Sequence, residues 1–431
     1  MRAANLSDHP AVSVVGGEPP NDNVARMSER RTSMLAALLV ALGPVSMALY
    51  TPAMPALVEA FDSSQAAIKT TLTVYFAGFA VAQLLAGPLS DAFGRRKATI
   101  GFLVIYLLGS IVAALAVDVP MLFAARLIQG IGAAVGVTVA RAIIRDQFAG
   151  ERASRIMNMV GIILAVAPAM SPALGGVALT LSGWQAIFAL MIGFGVIVSA
   201  VVFIAMAETT RPDASLARPA RVVRSYRRVL GNAEFVSSSL VVGCAIGALY
   251  AQATILPFVL IDEVGLTPTQ FGVGMLMQSG FFFLGSLATR YAMGRVPARR
   301  LVAPGLLFIG GGSVALIAAL ALFGATFLTV MVPVALAAVG IAFVMPYMQV
   351  AGLRPFPEIA GSASAMMGFI QMGLGLLGGS VSALLGNPVL ALGIVVPALA
   401  VVAITSYLWY RRLTPPECAP SDHVEPASSA E

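Results

Sequence analysis

The chain has 431 residues, of which 58% are hydrophobic and only 11% are charged. Soluble domains carry about 25% charged residues, so this composition cannot cover a water-exposed surface. It excludes a cytosolic enzyme, a nucleic-acid-binding protein and a disordered chain. The net charge of +6 does not reverse this, because the basic residues are confined to particular loops. We interpret the chain as a polytopic helical membrane protein.

Long segments with few or no charges alternate with charged loops along the whole chain. A membrane-spanning helix needs about 20 apolar residues, so most segments hold one helix and the three longest hold two. Turns inside those three are predicted at Gly183, Gly324 and Gly386. The pattern predicts twelve spans, in residues 32–58, 70–90, 98–117, 119–144, 156–207, 235–261, 264–289, 301–353 and 359–410.

The longest polar interruption falls near the middle of the chain and separates two groups of six spans. Arginines recur there every three or four residues. Two interpretations stay open: a basic amphipathic helix attracted to anionic lipid, or a flexible positive linker. The predicted organisation is a disordered cytoplasmic tail (1–31), a six-helix bundle (32–207), a cytoplasmic linker (208–233), a second six-helix bundle (234–412) and a disordered tail (413–431).

The basic residues predict the orientation of the spans. Apart from Lys69 and Arg126, all lysines and arginines fall in the tails, at span ends or in alternate loops, and the remaining loops carry acids instead. Short loops rich in Lys and Arg stay in the cytoplasm. We therefore expect both termini to be cytoplasmic.

The strongest local signal is the loop after the second span, GPLSDAFGRRK (87–97). It combines Gly87, Asp91 and Gly94 with Arg95 and Arg96, so charges of both signs lie beside residues that permit close approach and tight turning. An ordinary basic loop would account for the arginines but not for the other three. A partial repeat of this loop, GSLATRYAMGR (285–295), follows the eighth span and suggests duplicated halves.

This loop resembles, position for position, the Gly-x-Leu-x-Asp-x-x-Gly-Arg-Arg/Lys pattern between helices two and three of the major facilitator superfamily. The resemblance implies an all-α integral membrane protein with twelve transmembrane helices, in two six-helix bundles related by a pseudo-twofold repeat. It implies that Asp91 faces the start of helix eleven, where the helix dipole favours an acid. It also implies that Arg95 pairs with Asp146 at the inner end of helix four, as part of a conformational gate.

Arg126 is the one charge clearly inside a predicted span, about 10 Å from its start at 1.5 Å per residue. A central arginine costs about 2.5–3.5 kcal/mol on insertion scales, which makes a functional role the default interpretation. The alternative is an arginine that extends its charge to the membrane surface. The stretch RLIQGIGAA (126–134) is similar to the superfamily's helix-four motif, which is associated with proton coupling.

Helix five contains APAMSPALGG (167–176), with Pro168, Pro172, Gly175 and Gly176. It resembles the helix-five motif of drug:proton antiporters in the superfamily. A plain packing interface of small residues is a compatible alternative.

Two further stretches, 43–57 and 356–375, resemble the bicyclomycin and chloramphenicol resistance (Bcr/CflA) subfamily, and the whole resemblance covers about residues 40–390. It implies proton-driven multidrug efflux of small amphipathic or antibiotic-like molecules across a bacterial inner membrane. Ala48 stands where the subfamily usually has an acid, and Arg354 where it commonly has Glu. The alternative function is therefore export of an endogenous metabolite, or of an anionic or polar compound with altered or absent proton coupling.

The sequence places no Asp, Glu or His at mid-membrane depth, so the candidates for proton coupling are Asp62 and Asp118 at the outer mouth, Asp91 at the gate and Glu234 at the start of helix seven. We expect a small-molecule substrate, contact with membrane lipid, a monomer, and neither nucleic acid, metal nor cofactor, with the proton gradient as energy source. Polar and aromatic side chains within the spans are candidate substrate contacts, although each is also consistent with helix packing. They are Tyr50, Tyr75, Phe79, Gln83, Arg126, Gln129, Tyr250, Gln252, Gln278, Tyr347 and Gln371.

Overall fold

In the computed structural model, residues 27–148, 150–213 and 218–414 are described, except for the side chains of residues 150, 151, 153–155, 157–159 and 161–168. This part of the chain is helical and contains no strand. The predicted tails lie outside it, apart from their innermost residues. Ser28 accepts a hydrogen bond from the backbone N of Arg31 (3.3 Å) and so caps the first helix, which begins at Glu29, three residues before the predicted span.

Eleven helices of the described chain are long and apolar enough to cross a membrane. A further helix, Gly150–Ser182, is apolar over Ala169–Ser182. We number these long helices α1 to α12, so that each number matches a predicted span. They are α1 Glu29–Ala60, α2 Gln65–Phe93, α3 Arg95–Ala114, α4 Val119–Gln147, α5 Gly150–Ser182, α6 Gln185–Ala205, α7 Ala233–Glu263, α8 Pro268–Met293, α9 Ala298–Phe323, α10 Phe327–Leu353, α11 Ala360–Leu385 and α12 Pro388–Leu413.

The turns within the longest apolar segments lie where the sequence predicts them. Gly183, Gly324 and Gly386 have φ angles of +76°, +71° and +71°, a conformation that glycine adopts without steric cost. Three helices are locally irregular. A 3-10 turn at Thr51–Ala53 interrupts α1, α4 is broken at Ala134, and α7 ends in a π-helical turn, Phe258–Glu263.

The two six-helix halves are related by a repeat in their packing. Within the halves, α1 packs on α5 as α7 packs on α11, and α3 packs on α6 as α9 packs on α12. Between the halves, α2 packs on α11 and α8 packs on α5. We call these two contacts between the halves seams. Exchanging each helix with its counterpart six positions away converts the α2–α11 seam into the α8–α5 seam. Each half also has its own apolar core. The predicted pseudo-twofold repeat is therefore confirmed.

Charge distinguishes the two ends of the bundle. We call the end that carries the α2–α3, α4–α5 and α6–α7 connections the basic face, and the other end the opposite face. At the basic face, Arg95 lies between Asp91 and Asp146. At the opposite face, the side chain of Gln65 donates to Asp262 (3.0 Å).

A short helix, Pro219–Leu230, forms within the central linker, and we call it the linker helix. The Tyr226 hydroxyl donates to the backbone O of Leu84 in the first half (2.6 Å), and burial raises the pKa of Tyr226 to about 12, so this donor keeps its proton. Val229 packs in an apolar cluster with Phe235 and Phe356 of the second half. Of the two open interpretations, the helix is the one that the structure contains, and it contacts both halves.

Candidate functional site

Arg126 lies at the centre of the first half and is fully buried. Its guanidinium carbon is 4.2 Å from the ring centroid of Tyr50 and 4.5 Å from that of Tyr75, so two aromatic faces enclose the charge. One guanidinium nitrogen donates to Oε1 of Gln129, one helical turn along α4. Nε and Nη2 of Arg126 have no hydrogen-bond partner among the described residues. The structure thus contains a buried charge and not an arginine extended to the membrane surface. The functional role of Arg126 stays a prediction.

A shell of hydroxyl groups fixes the groups around Arg126. Gln129 donates to Ser110 Oγ (2.7 Å), and the Tyr50 hydroxyl lies 2.6 Å from Thr71 Oγ1. The Tyr75 hydroxyl donates to the backbone O of Gly43 on α1 (3.0 Å). These bonds join α1, α2, α3 and α4 around one charge. The sequence did not single out Ser110 or Thr71, because serine and threonine are common in spans and no pattern marks these two.

Ala48 is buried on α1, close in sequence to Tyr50. The acids that the α1 sequence does contain, Glu29 and Glu59, stand near its two ends. A carboxylate in place of Ala48 would put an acid in this region of α1. Because residue 48 is alanine, α1 provides no acid near the Arg126 charge. The aromatic rings and Gln129 stabilise the cation without neutralising it.

The other candidate contacts are distributed over both halves. Phe79 packs against Gly43 in the first half, and Gln278 donates to Gln252 (2.6 Å) in the second. The Tyr250 ring meets the Phe76 ring across the halves, with centroids 5.3 Å apart. Gln83 lies against Gly368 of α11, and half-buried Gln371 follows one turn later.

Tyr347 does not join this group. Its hydroxyl lies 3.2 Å from that of Tyr410, and both residues are near the basic-face ends of α10 and α12. Spacing along the sequence could not reveal this, because the partner is on the last helix.

The 87–97 loop forms a compact charge cluster at the basic face. Arg95, only 3% exposed, binds Asp91 (2.5 Å) and Asp146 (3.1 Å) and donates to Ser90 Oγ (2.6 Å). The pair of Arg95 with Asp146 implied by the resemblance is therefore present. Arg96 donates to the backbone O of Phe203 on α6 (2.6 Å). The role of the cluster as a gate stays a prediction.

Glu208 completes this cluster and was missed by sequence reasoning. Its carboxylate accepts from the backbone N of Arg95 (2.8 Å) and of Arg96 (3.2 Å), and so caps the start of α3. Gly94 precedes the cap with φ +96°, and a side chain there would collide with Glu208. The available signal was an acid directly after the sixth span.

A cavity of about 550 Å³ lies between the halves at the basic face. Asp91 and Ala360, the first residue of α11, both line it, while the Asp91 carboxylate is engaged by Arg95. Gly87 and Gln83 also line it, and Gln83 is the one predicted substrate contact among its lining residues. The Arg126 group is closed off from this cavity in the described conformation.

The halves are in close contact at the opposite face, where α5 meets α8. A Cβ on Gly272 would come within 2.7 Å of the Cα of Ala173 and would also meet the backbone of Pro172. Gly176 packs on the backbone of Pro268, and Gly175 on α1 at Leu49. The helix-five motif thus packs against α8 of the other half and against α1, as the compatible packing interpretation expects. Its role in antiport stays a prediction. The side chain of Pro168 lies outside the described residues.

The predicted proton-coupling acids occupy different environments. Asp118 caps α4 by accepting from the Met121 backbone N (2.8 Å), and Asp62 occupies the tight turn after α1 with φ +44°. Both are exposed. Glu234 lies 3.7 Å from Arg354 at the basic face. None of these positions is inside the bundle, and their role in coupling stays untested.

A buried polar centre inside a repeated twelve-helix bundle, with a cavity between its halves, defines a multi-pass membrane transporter. Residues 36–383 match the family model of the Major Facilitator Superfamily. The chain belongs to this superfamily.

Related sequences and structures agree with this assignment. The chain is 28% identical to the uncharacterized MFS-type transporter YdgK of Bacillus subtilis (strain 168), over 82% of this chain and 88% of the relative. It is 28% identical to multidrug resistance protein MdtL of Citrobacter koseri, over 78% of this chain and 84% of the relative. A crystal structure of a D-xylose-proton symporter superimposes with a TM-score of 0.70 at 14% identity, covering 87% of this chain and 97% of the other, which shows a shared fold.

Proposed function

We propose that this transporter exports small amphipathic, antibiotic-like molecules across a bacterial inner membrane by alternating access, in exchange for protons, as a member of the Bcr/CflA subfamily. The observation that carries the proposal is the buried Arg126 group, in which two guanidinium donors between aromatic rings have no hydrogen-bond partner among the described residues. Such a group offers hydrogen bonds and ring faces to an amphipathic molecule. The similarity to MdtL, named for multidrug resistance, supports the same class of substrate.

The orientation follows from the distribution of charge. Short loops rich in Lys and Arg remain on the cytoplasmic side, so we place the basic face and both termini in the cytoplasm. The cavity at this face then opens toward the cytoplasm, while the opposite face is closed. This is the conformation in which an exporter takes up its substrate.

The test expresses the full chain in a bacterial strain that lacks its own efflux pumps and measures growth against a panel of amphipathic antibiotics, with and without a protonophore. We expect resistance that the protonophore removes. Arg126→Ala should lose at least about tenfold in resistance, equivalent to about 1.4 kcal/mol, at unchanged membrane abundance. Arg126→Lys should recover only part of it, because an ammonium lacks the planar stacking of a guanidinium.

Arg412→Ala is the matched control, since it removes an exposed arginine at the end of α12. Full resistance in Arg126→Ala, at normal abundance, would contradict the proposed role of Arg126. No resistance to any compound in the wild type would contradict the drug-efflux proposal.

A second candidate is export of an endogenous metabolite, or of an anionic or polar compound, with altered or absent proton coupling. Ala48 favours it, because an arginine without an acid from α1 attracts negative charge in a region of low dielectric constant. Export that the protonophore does not affect, with preference for anionic over cationic compounds, would establish this candidate over the first.

A further inference from the structure

Lys69 is a buried lysine in the seam between the two halves. It lies in the second turn of α2, about 6 Å from the helix start, and its exposed fraction is 0%. Its Nζ is 4.9 Å from the centroid of the Phe258 ring, which belongs to the π-helical turn of α7 in the other half. The sequence marked this lysine only as one that the positive-inside pattern does not explain.

The surroundings of Lys69 close against it from both sides of the seam. One turn before it, Gln65 donates to Asp262 of α7 (3.0 Å). One turn after it, Thr73 packs against Gly379 of α11, where a Cβ would come within 2.7 Å of Thr73 Oγ1. Lys69 therefore has partners of the second half on either side, and opening this seam would expose it to water.

No hydrogen-bond acceptor for the Lys69 ammonium is found among the described residues. An ammonium normally has three donors satisfied, and burying one without acceptors costs more free energy than a single cation–π contact returns. A neutral amine carries a much smaller desolvation cost. The Asp262 carboxylate offsets part of this cost by attracting the ammonium. The closed seam therefore favours the amine more than an open, hydrated seam does.

We propose that Lys69 is the residue whose protonation is coupled to opening and closing of the opposite-face seam. When the seam opens, the amine takes a proton from water and becomes an ammonium. When the seam closes as in this structure, the ammonium returns a proton to water and is buried as an amine. The proposal rests on the proposed transport cycle only in requiring that this seam open.

Other ionisable groups on the elements packed against this part of α2 must be separated from Lys69 in any test. On α11 the described residues include no charged side chain. The groups on the other elements are Glu59 and Tyr50 of α1, Tyr106 of α3, Arg126 and Asp118 of α4, and Tyr250, Asp262 and Glu263 of α7, together with Tyr75 on α2 itself.

The experiment measures the seam directly and needs no substrate. In full-length protein with Cys244 and Cys418 replaced by serine, spin labels are placed at Val117→Cys and Leu384→Cys, which are exposed at the opposite-face ends of the two halves. Double electron–electron resonance then gives the distance distribution between the labels as pH is varied. We expect the wild type to gain a longer-distance population as pH falls, by up to about tenfold in the open-to-closed ratio per pH unit.

Three variants separate the outcomes. Lys69→Gln should stay at the short distance at every pH, and Lys69→Arg should favour the long distance at every pH, because arginine does not lose its proton. Lys97→Gln, which removes an exposed lysine at the start of α3, should behave as the wild type. Asp262→Asn, Glu59→Gln and Glu263→Gln should shift the midpoint without removing the transition.

Several results would overturn the proposal. The first is a pH-dependent change of label distance in Lys69→Gln that equals that of the wild type. The second is a Lys69→Arg protein that moves to the short distance at high pH as the wild type does. The third is loss of the pH-dependent change in one of the acid variants while Lys69 is intact. Opening of Lys69→Gln at every pH would show instead that a permanently charged lysine holds the seam closed. Because no transport is measured, a failed efflux assay leaves each of these results interpretable.

Discussion

Arg95 joins three segments of the basic face that are far apart in the sequence. The Arg95 side chain contacts Asp91 near the end of α2 and Asp146 at the end of α4. The Glu208 carboxylate, which follows α6, accepts a hydrogen bond from the Arg95 backbone N. A buried ion pair is costly to break from one side, because the remaining charge loses its partner in a region of low dielectric constant. At the scale of single residues, the stability of the basic face therefore depends on this small group of buried charges.

We predict that Asp146→Asn lowers the free energy of unfolding by about 2 kcal/mol, since Asp91 and Ser90 still compensate part of the Arg95 charge. Thermal unfolding of the purified protein in detergent measures the change. The matched control is Glu358→Gln, whose pair with Arg228 (3.6 Å) joins side chains that are 79% and 62% exposed. That pair should contribute less than about 1 kcal/mol. Equal effects of the two substitutions would show that burial does not set the strength of the Arg95 pair.

The same network predicts an effect on transport. Asp91→Asn should keep membrane insertion but reduce export, because the neutral amide no longer pairs with Arg95 and no longer complements the start of α11 when the basic face closes. The export rate per inserted molecule is the measurement. An unchanged rate would remove Asp91 from the gate.

At the scale of the helix, glycine and proline positions decide how closely the halves approach. The seam of α5 with α8 closes backbone to backbone at Gly272, which leaves no room for a methyl group beside Ala173. A glycine also permits close backbone contact inside the first half, where Gly130 of α4 packs on the backbone of Tyr75. This close contact allows α4 to place Arg126 against the aromatic rings. Small residues replace hydrophobic burial as the means of helix association in a membrane.

Gly272→Ala is therefore expected to disfavour the closed opposite face by about 1–3 kcal/mol. The measurement is the labelling rate of a single cysteine at Thr269 by a membrane-impermeant maleimide, which should rise about tenfold or more. Gly280→Ala on the same helix is the control, because a Cβ there meets nothing within 4 Å. If both alanines changed labelling alike, helix propensity rather than packing at the seam would be the cause.

At the scale of the whole molecule, the two seams are exchanged by the pseudo-twofold repeat. The opposite face is closed by contacts of α5 with α8 and of α2 with α7 and α11, while a cavity remains at the basic face. Rigid halves joined by two related seams can rock so that one end opens as the other closes. The linker helix contacts both halves, so its contacts must rearrange or move with that rocking.

Locking the opposite face should stop transport. Thr180 and Thr269 have hydroxyl oxygens 3.2 Å apart across the α5–α8 seam, so a Thr180→Cys/Thr269→Cys pair in a background without Cys244 and Cys418 should form a disulfide. We expect oxidation to reduce export by at least about tenfold, equivalent to about 1.4 kcal/mol, and a reductant to restore it.

A Phe61→Cys/Trp184→Cys pair is the control for this cross-link. The centroids of the two rings lie 5.3 Å apart at the same face, between the end of α1 and the start of α6 in the first half. A bond between these two segments leaves the motion between halves free. Undiminished export by the oxidised Thr180→Cys/Thr269→Cys protein would show that the seam stays closed throughout the cycle.

The sequence by itself determined the number of helices, their turns and the charged loop 87–97. These depend on local properties: apolar length against bilayer thickness, glycine at turns with positive φ, and a charge pattern within residues 87–97. Apart from the Arg95–Asp146 pair, which the resemblance of the 87–97 loop implied, the contacts between segments did not follow from any local pattern. Glu208 as the cap of α3, and Tyr347 bound to Tyr410 rather than to the central group, appeared only once the helices were packed.

Lys69 shows the same division most clearly. Its position on α2 is readable from the sequence, but the second half decides whether that side chain meets lipid, water or protein. Only the tertiary structure places its ammonium nitrogen 4.9 Å from the centroid of the Phe258 ring, with no hydrogen-bond acceptor in the part of the chain that the structure describes. The reason is physical: hydropathy is a property of a segment, whereas the environment of a charge is set by the helices that pack against it.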